Sequence, residues 1–260
     1  MPIRLVAGSV KTSSDMARRN RVQAAGLIHH VMSRGNGQMA IFLDPVDYRQ
    51  FIHLLGEVVE AFGIRCWNYC AMPNHYHATL QPSRANLSRA MRKLNGQYAQ
   101  WWNRRYARVG HVLQGRFKSQ LVQRETYLLE LSRYVVRNPV RAQLVERPED
   151  WPWSSYRATA GLSPTPPFLD DTATLSLFGP GDERTLRARF IEHVLGSPGD
   201  ENLVERIRSN ERVLGNREFK ILVGRLSGEA ERIAGSTISD EAVFGGMPAV
   251  DPVSDPAVAP

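Results

Sequence analysis

The chain has 260 residues, of which 42% are hydrophobic and 23% are charged, and this length suits one well-buried domain with an appendage or two small domains. No apolar run approaches the roughly 18 residues of a membrane helix, and the N-terminus lacks the apolar stretch of a secretory signal, so we expect a cytoplasmic protein with no membrane partner. The formal net charge of +7 points to a polyanionic partner.

The first elements alternate between strand and helix patterns. Residues 27–35, "LIHHVMSRG", read as a strand that ends at the turn residues "NGQ". A helix follows, with Asp44 as N-cap, Pro45 at its first position and Gly63 at its end. Residues 64–71 and 75–81 have period-two patterns on either side of the turn "MPN", which predicts an antiparallel hairpin.

The second part of the chain continues with a basic helix over residues 87–105, which carries an aromatic and aliphatic stripe on one side. The stretch "GHVLQGRFKSQLV" then predicts a loop and a strand, and a further helix spans residues 125–137. Asn138 is the expected N-cap of the next helix and Pro139 its first residue. The order β, α, β, β, α, β, α predicts an α+β sandwich with a central antiparallel sheet.

The C-terminal part is expected to be subdivided. Residues 161–181 are proline-rich and are interpreted as a linker. Residues 182–234 are predicted to form a small helical appendage, and residues 235–260, which are rich in proline, a disordered tail. Residues 1–15 are interpreted as an upstream extension outside the fold.

The two cysteines, Cys66 and Cys70, fall within one predicted strand. Four strand residues separate their positions by ~13 Å, which excludes a disulfide between them. The same separation argues against a structural zinc site that would combine both thiolates with His75 and His77.

The pair His75 and His77 is the first candidate site. Residues two apart on a strand share a face, so the two imidazoles lie side by side. Such a pair alone is more typical of ordinary surface histidines than of a metal site. A second motif adds to it, because Tyr134 and Asn138 are four apart on a predicted helix and share a face. A tyrosine phenol can attack a phosphate whose charge a cation neutralises, and the amide oxygen can complete the ligand set.

A long span without acidic residues carries the positive charge. No Asp or Glu occurs between Glu60 and Glu125, whereas eleven basic residues do. A solvated surface normally mixes both signs, so the span indicates contact with nucleic-acid phosphates. The residues expected to bind DNA are Arg89, Arg92, Lys93, Arg104, Arg105, Arg116 and Lys118. Of the adjacent Trp101 and Trp102, we expect one to be buried and one to lie nearer the surface.

Over about residues 16–160 the chain resembles the single-tyrosine HUH transposases, and more closely the REP-associated tyrosine transposases of bacteria. The resemblance rests on the order of "MARRNRVQAAGLIHHVMSRGNGQ", "MPNHYHATLQP", "LSRAMRKLNGQYAQWWNRR", "GHVLQGRFKS" and "YLLELSRYVVRNPVRAQLVERPEDWPWSSY". It implies a ferredoxin-like domain in which His75 and His77 are metal ligands. Tyr134, with Tyr127 as its rival, would then be the nucleophile, and Asn138 the third ligand.

The activity implied by the resemblance is cleavage and rejoining of single-stranded or hairpin DNA through a 5′-phosphotyrosine. The implied cofactor is a divalent metal, Mg²⁺ or Mn²⁺, and the protein would act as a monomer or a homodimer, associated with the bacterial nucleoid when bound to DNA. The alternative is a non-cleaving DNA-binding protein of the same fold that recognises repeat hairpins. Tyr76, between the two histidines, is expected to point to the opposite sheet face and to pack there.

Overall fold

A five-stranded sheet forms the centre of the protein. The computed structural model describes residues 22–196, 201–209 and 211–233. The strands are β1 (Ile28–Arg34), β2 (Ile64–Met72), β3 (His75–Pro82), β4 (Lys118–Val122) and β5 (Val213–Leu214). They are arranged in the order β2-β3-β1-β4-β5. The pairs β2–β3, β3–β1 and β1–β4 are antiparallel, and β5 runs parallel to β4.

Helices cover both faces of this sheet. They are α1 (Pro45–Ala61), α2 (Leu87–Arg105), α3 (Arg124–Val136), α4 (Asn138–Arg141), α5 (Tyr156–Thr159), α6 (Asp171–Ser176), α7 (Glu183–Leu195), α8 (Glu201–Arg208) and α9 (Arg217–Ile233). The connectivity from β1 to β4 is βαββαβ, which is the ferredoxin-like arrangement. The predicted α+β class with a central antiparallel sheet is therefore confirmed.

The face under α1 and α2 holds the main hydrophobic core. Asp44 caps α1 as predicted, since its carboxylate accepts hydrogen bonds from the backbone N–H groups of Val46 and Asp47. On this face Tyr76 is fully buried: its ring lies 4.5 Å from that of Phe51. Its hydroxyl donates to Asn95 on α2 at 2.6 Å. The expected packing of Tyr76 away from the histidines is confirmed.

The adjacent tryptophans on α2 behave as expected. Trp102 is buried at 2% exposure, whereas Trp101 is only partly buried and stacks against Tyr98 at 5.8 Å between ring centroids. Both belong to or pack against the core under the helices.

A bulge in β2 places the two cysteines on opposite faces. Cys66 pairs with Leu80 across β3, and Cys70 pairs with His77, while the register shifts between Cys66 and Asn68. Because Leu80 and His77 are three apart on β3, they face opposite sides of the sheet, and so do their partners. Both cysteines are free, and burial raises the pKa of each thiol. The sheet therefore separates them, in agreement with the exclusion of a disulfide.

The second face of the sheet is covered by α3 and α8. Leu128 and Leu131 of α3 pack with Leu203 and Ile207 of α8 in one buried cluster. That cluster also contains Trp67 of β2 and Val122 of β4. The residues of the predicted helical appendage thus contribute to the core of the domain itself.

The segments after residue 160 differ from their predicted roles. Residues 161–181 are not an extended linker, because they include α6 and pack on β2: the Thr174 hydroxyl donates to the Trp67 carbonyl at 2.8 Å, and the Asp170 N–H donates to that of Cys66. The helical character predicted between residues 182 and 234 is present in α7, α8 and α9. However, β5 joins the central sheet, so this segment is part of the domain rather than an appendage. Residues 1–15 and 235–260 lie outside the described residues.

The position of Asn138 differs from the predicted one. Asn138 is the first residue of α4 rather than its N-cap. Its side-chain amide instead donates to the carbonyl oxygens of Tyr134 and Val135 in the last turn of α3.

Among the helices within the described ranges, none combines the length and apolar character that crossing a membrane requires.

Arg105, at the protein surface, is paired with two acidic side chains of the first helix and its cap. Its guanidinium lies 2.5 Å from an oxygen of Asp44 and 3.1 Å from one of Asp47, whose side chain is fully buried. Tyr106 also donates to Asp47, at 2.8 Å. These contacts tie the end of α2 to the start of α1. The neighbouring Arg104 forms no ion pair with the residues that the structure describes.

Arg105→Met is expected to lower the free energy of unfolding by about 2 kcal/mol, because it leaves the buried Asp47 carboxylate without its cationic partner. The matched variant Arg104→Met should change it by less than about 0.5 kcal/mol. Urea denaturation of the two variants measures both values. Equal stabilities for the two variants would contradict a structural role for Arg105.

Candidate active site

His75 and His77 lie on β3 and face α3. Their ring centroids are 4.9 Å apart, with the ring planes nearly perpendicular. The ring of Tyr134, in the last turn of α3, lies 6.0 Å from that of His77 and 6.2 Å from that of His30 on β1. The structure thus brings the predicted histidines and the predicted tyrosine together across the interface between sheet and helix.

These residues line one large cavity. Its volume is about 1110 Å³, and its walls include His75, His77, Tyr134 and Asn138. Six basic side chains also line it: Arg34, Arg116, Lys118, Arg208, Arg212 and Lys220. A cavity with this lining suits a polyanion whose phosphate reaches the tyrosine and the histidines.

Two successive hydrogen bonds, which start at Nδ1, fix the ring of His77. His77 Nδ1 lies 2.9 Å from His30 Nε2, and His30 Nδ1 lies 2.8 Å from the side-chain oxygen of Gln120 on β4. Their burial is nearly complete, with exposures of 4% for His77, 0% for His30 and 1% for Gln120. His77 Nε2 has no hydrogen-bond partner among the residues that the structure describes.

His75 is held in a similar way by the turn before β3. Its Nδ1 lies 2.7 Å from the side-chain oxygen of Asn74, whose amide nitrogen donates to the Gln38 carbonyl at 3.1 Å. Its Nε2 is likewise without a hydrogen-bond partner in the described part of the chain. Each histidine therefore has one nitrogen fixed by the protein and one that remains available.

Burial keeps the imidazoles of this region neutral near pH 7. It lowers the pKa of His30 to about 4, and burial together with the charge of Arg34 lowers the pKa of His75 to about 4. Burial, followed by the neighbouring His30 and His75, lowers the pKa of His77 well below its usual value of 6.5. Neutral imidazoles are the form that binds metal ions.

Arg141 contacts both predicted residues of the second motif. Its guanidinium carbon lies 3.8 Å from the centre of the Tyr134 ring, and one of its N–H groups donates to the Asn138 side-chain oxygen at 3.0 Å. Burial lowers the pKa of Arg141, and the Tyr134 phenol opposes that shift. Arg141 was not among the residues predicted from the sequence, because it lies on α4 and its position relative to Tyr134 of α3 depends on the turn at Arg137.

Tyr127, the rival nucleophile, lies in a different environment. Its hydroxyl accepts a hydrogen bond of 3.3 Å from Arg206, whose guanidinium lies over the ring at 5.2 Å. Arg206 in turn pairs with Glu211. Tyr127 is not among the residues that line the cavity, whereas Tyr134 is. This difference favours Tyr134.

Comparison with known proteins finds similarity to a family of transposases. Residues 23–138 match the family model described as "Transposase IS200 like". This segment of the chain is similar to the IS200-like transposases. The matched segment runs from before β1 to Asn138, so it includes His75, His77 and Tyr134.

A solved structure also matches the chain. It is described as "Structure of the REP associates tyrosine transposase bound to a REP hairpin"; it is 18% identical, with a TM-score of 0.47, and the match covers 64% of this chain and 91% of that chain. No curated protein sequence matches the chain significantly.

The basic residues predicted to bind DNA are divided between the two faces of the sheet. Arg116 and Lys118 line the cavity. Arg89, Arg92, Lys93 and Arg104 are exposed on α2, which covers the sheet face opposite the histidines, and Arg105 is paired with Asp44 and Asp47. The prediction did not include Arg34, Arg208 and Lys220, which reach the cavity from distant parts of the chain.

The donor set of the domain fits a divalent cation through two imidazoles and an amide. The described residues contain no metal-binding group of three or more His, Cys, Asp or Glu side chains. His75 and His77 would each supply Nε2, and the Asn138 oxygen, which accepts from Arg141, has a second lone pair. Nitrogen and carbonyl ligands of this kind are compatible with Mn²⁺ or Mg²⁺.

The buried histidines predict acid sensitivity. The folded-state pKa of His29, His30 and His75 is about 4, below the value of 6.5 expected in the unfolded chain. The unfolded chain therefore binds more protons between pH 6.5 and 4, and the free energy of unfolding must fall as the pH falls through this window. The expected loss at pH 5 is about 1–2 kcal/mol per histidine. Urea titrations from pH 7.5 to 5 in metal-free buffer measure it.

His29→Leu provides the variant for this measurement, because His29 is 2% exposed and its Nε2 has no partner among the described residues. The variant should lose less stability between pH 7 and 5 than the wild type. His53→Gln is the control for the removal of a histidine as such, since the His53 side chain is 65% exposed. A wild-type slope in His29→Leu would refute the assignment.

Proposed function

We propose that this chain is a DNA transposase that cleaves and rejoins single-stranded or hairpin DNA through a covalent phosphotyrosine. The observation that carries the proposal is that Tyr134 lies 6.0 Å, ring to ring, from His77 in one basic cavity. The similarity to the IS200-like transposases supports the same class of reaction. Neither the histidine pair nor the tyrosine alone would indicate this chemistry.

Tyr134 is the proposed nucleophile. Its phenol loses a proton, and the oxygen attacks the phosphorus of a DNA phosphodiester. The bond from phosphorus to the 3′-oxygen breaks, and that oxygen takes up a proton to leave a free 3′-hydroxyl. The 5′-phosphate remains bonded to Tyr134. Attack by another 3′-hydroxyl reverses these steps and rejoins the strand without an external energy source.

His75 and His77, with the oxygen of Asn138, are the proposed holders of Mg²⁺ or Mn²⁺. The bound cation would neutralise the phosphate oxygens and so help the phenol to attack. Arg141 contributes a second positive charge at the same place, since its guanidinium lies over the Tyr134 ring. It also holds the Asn138 side chain at the end of α3.

The basic lining of the cavity is the proposed path of the DNA backbone. Arg116 and Lys118 enter it from the loop before β4 and from β4 itself, and Arg34 enters from the end of β1. Phosphates bound here would bring the scissile bond to Tyr134. A REP-type hairpin oligonucleotide is the proposed first substrate. The alternative is a protein that binds hairpins without cutting them, and formation of a covalent adduct distinguishes the two.

Wild-type protein incubated with a labelled single-stranded hairpin oligonucleotide and Mn²⁺ is expected to form a covalent adduct that survives a denaturing gel. Tyr134→Phe should abolish the adduct, because it removes the attacking oxygen while leaving the ring under Arg141. Tyr127→Phe is the matched control on the same helix and should form the adduct.

Three results of that experiment would count against the proposal. Binding without any adduct from the wild type would favour the non-cleaving protein. An undiminished adduct from Tyr134→Phe would refute the assignment of the nucleophile. Loss of the adduct in Tyr127→Phe alone would assign the reaction to Tyr127.

Substitution of Arg116 and Lys118 by Gln is expected to weaken hairpin binding and to reduce the slope of log affinity against log salt by about 1 for each phosphate that is no longer neutralised. The matched pair Arg89→Gln and Lys93→Gln lies on α2, on the other side of the sheet, and should leave the slope nearly unchanged. Fluorescence anisotropy at several salt concentrations measures both pairs with Tyr134→Phe as background. The reverse pattern would place the DNA on α2.

A further inference from the structure

Backbone carbonyl groups of the segment from α8 to β5 orient the side chain of Gln120 on β4. Its amide nitrogen lies 3.0 Å from the carbonyl oxygen of Glu211, 3.2 Å from that of Ile207 and 3.4 Å from that of Arg206. A carbonyl oxygen accepts hydrogen bonds and cannot donate one, so the nitrogen of the amide must face these three groups. The amide oxygen of Gln120 therefore faces the opposite way, towards His30.

This orientation determines which nitrogen carries the proton in the imidazoles of His30 and His77. The Gln120 oxygen can only accept, so His30 Nδ1, at 2.8 Å, must carry the hydrogen. Neutral His30 then has a bare Nε2, and His77 Nδ1, at 2.9 Å, must donate to it. Neutral His77 is left with its single proton on Nδ1 and a lone pair on Nε2.

The second histidine reaches the same state by a separate route. The amide nitrogen of Asn74 donates to the Gln38 carbonyl, so its oxygen faces His75. His75 Nδ1 must then donate to that oxygen at 2.7 Å, which leaves its lone pair on Nε2. Two unrelated amides thus impose the same tautomer on the two rings.

The carbonyl groups that orient Gln120 are themselves held in place. Arg206 pairs with Glu211 through two hydrogen bonds, of 2.5 and 3.2 Å, and Lys220 of α9 lies 2.8 Å from Glu211. Ile207 is buried in the cluster under α3. The Leu121 N–H beside Gln120 also donates to the Arg212 carbonyl at 2.8 Å.

We infer that Gln120 and Asn74 are positioning residues that present the Nε2 lone pairs of His77 and His75 to the divalent cation, and that the segment from α8 to β5 completes this site by orienting Gln120. The inference rests on the proposed function for the identity of the ligand. Residues that hydrogen-bond to the other ring nitrogen of a metal-binding histidine fix its tautomer, and they typically contribute 10–100-fold to metal affinity. The segment from α8 to β5 would therefore act on the site without touching the cation.

The tautomers are measured directly by long-range ¹H–¹⁵N correlation spectra of the full chain labelled with ¹⁵N-histidine, at pH 7.5 without metal. His30, His75 and His77 are expected to show protonated Nδ1 and bare Nε2, with signals assigned by single His substitutions. Protonated Nε2 on His77 in the wild type would overturn the inference, and this measurement requires neither a variant nor a bound metal.

Gln120→Met keeps the side-chain length but removes the acceptor and the amide donors. It should change the signals of His30 and His77 but not of His75, and should weaken Mn²⁺ binding, followed by electron paramagnetic resonance of the free ion, by 10-fold or more. Asn74→Leu should change the signals of His75 alone. A wild-type tautomer and wild-type Mn²⁺ affinity in Gln120→Met would overturn the inference.

Gln123→Met is the matched control for general loosening of the C-terminal segment. Gln123 lies just after β4, and its side-chain oxygen accepts from the Asn216 N–H at 2.8 Å, outside the chain to His77. This variant should retain the histidine signals and the Mn²⁺ affinity; the same losses as in Gln120→Met would refute a specific role for Gln120. The expected tautomers without any DNA adduct would support the inference and refute the proposed function. A DNA adduct with protonated Nε2 on His77 would support the proposed function and refute the inference.

Discussion

The alternation of side chains along β3 controls where each part of the candidate site lies. Tyr76, Ala78 and Leu80 enter the core under α1 and α2, and the residues between them face α3. A slip of one residue in the pairing of β3 would exchange the two sets, placing His75 and His77 in an apolar core and Tyr76 in the cavity. Burial of the apolar set therefore holds the histidines on the face where Tyr134 can reach them.

Polar side chains buried on the site face connect the sheet to the helix that carries Tyr134. The Thr79 hydroxyl donates to Asn68 at 2.8 Å, and the Asn68 amide donates to Ser132 of α3 at 2.9 Å. Unpaired polar groups are costly in an interior of low dielectric, so a fully paired chain specifies one arrangement of its elements. Since Ser132 is two residues from Tyr134, these hydrogen bonds position the tyrosine relative to the histidines. The bonds from His77 to Gln120 extend the same principle to the C-terminal segment.

The distribution of charge follows from how the acid-free span folds. The span supplies exposed arginines to α2 on one layer and Arg116 and Lys118 to the cavity on the other. Arg105 is paired with Asp44 and Asp47, which precede the span in the chain. Arg34 and Lys220, from opposite ends of the described chain, complete the basic lining. A linear count of charges predicts a polyanionic partner, but which surface carries the basic residues is determined by the topology of the fold.

The local elements and the short-range residue pairs of the candidate site were predictable from the order of amino acids alone. Period-two patterns, the Asp44 cap and the "MPN" turn depend on neighbouring residues, so β1 to β4 and α1 to α3 follow from local physics. The pairing of His75 with His77 and of Tyr134 with Asn138 follows from the same short-range periodicity. The folded chain was needed to show that Arg141 lies over Tyr134, that Arg105 is neutralised, that β5 joins the sheet, and that Gln120 stands behind His30. These contacts join residues that are distant in the chain or depend on a side-chain rotamer, and no pattern of adjacent residues encodes either.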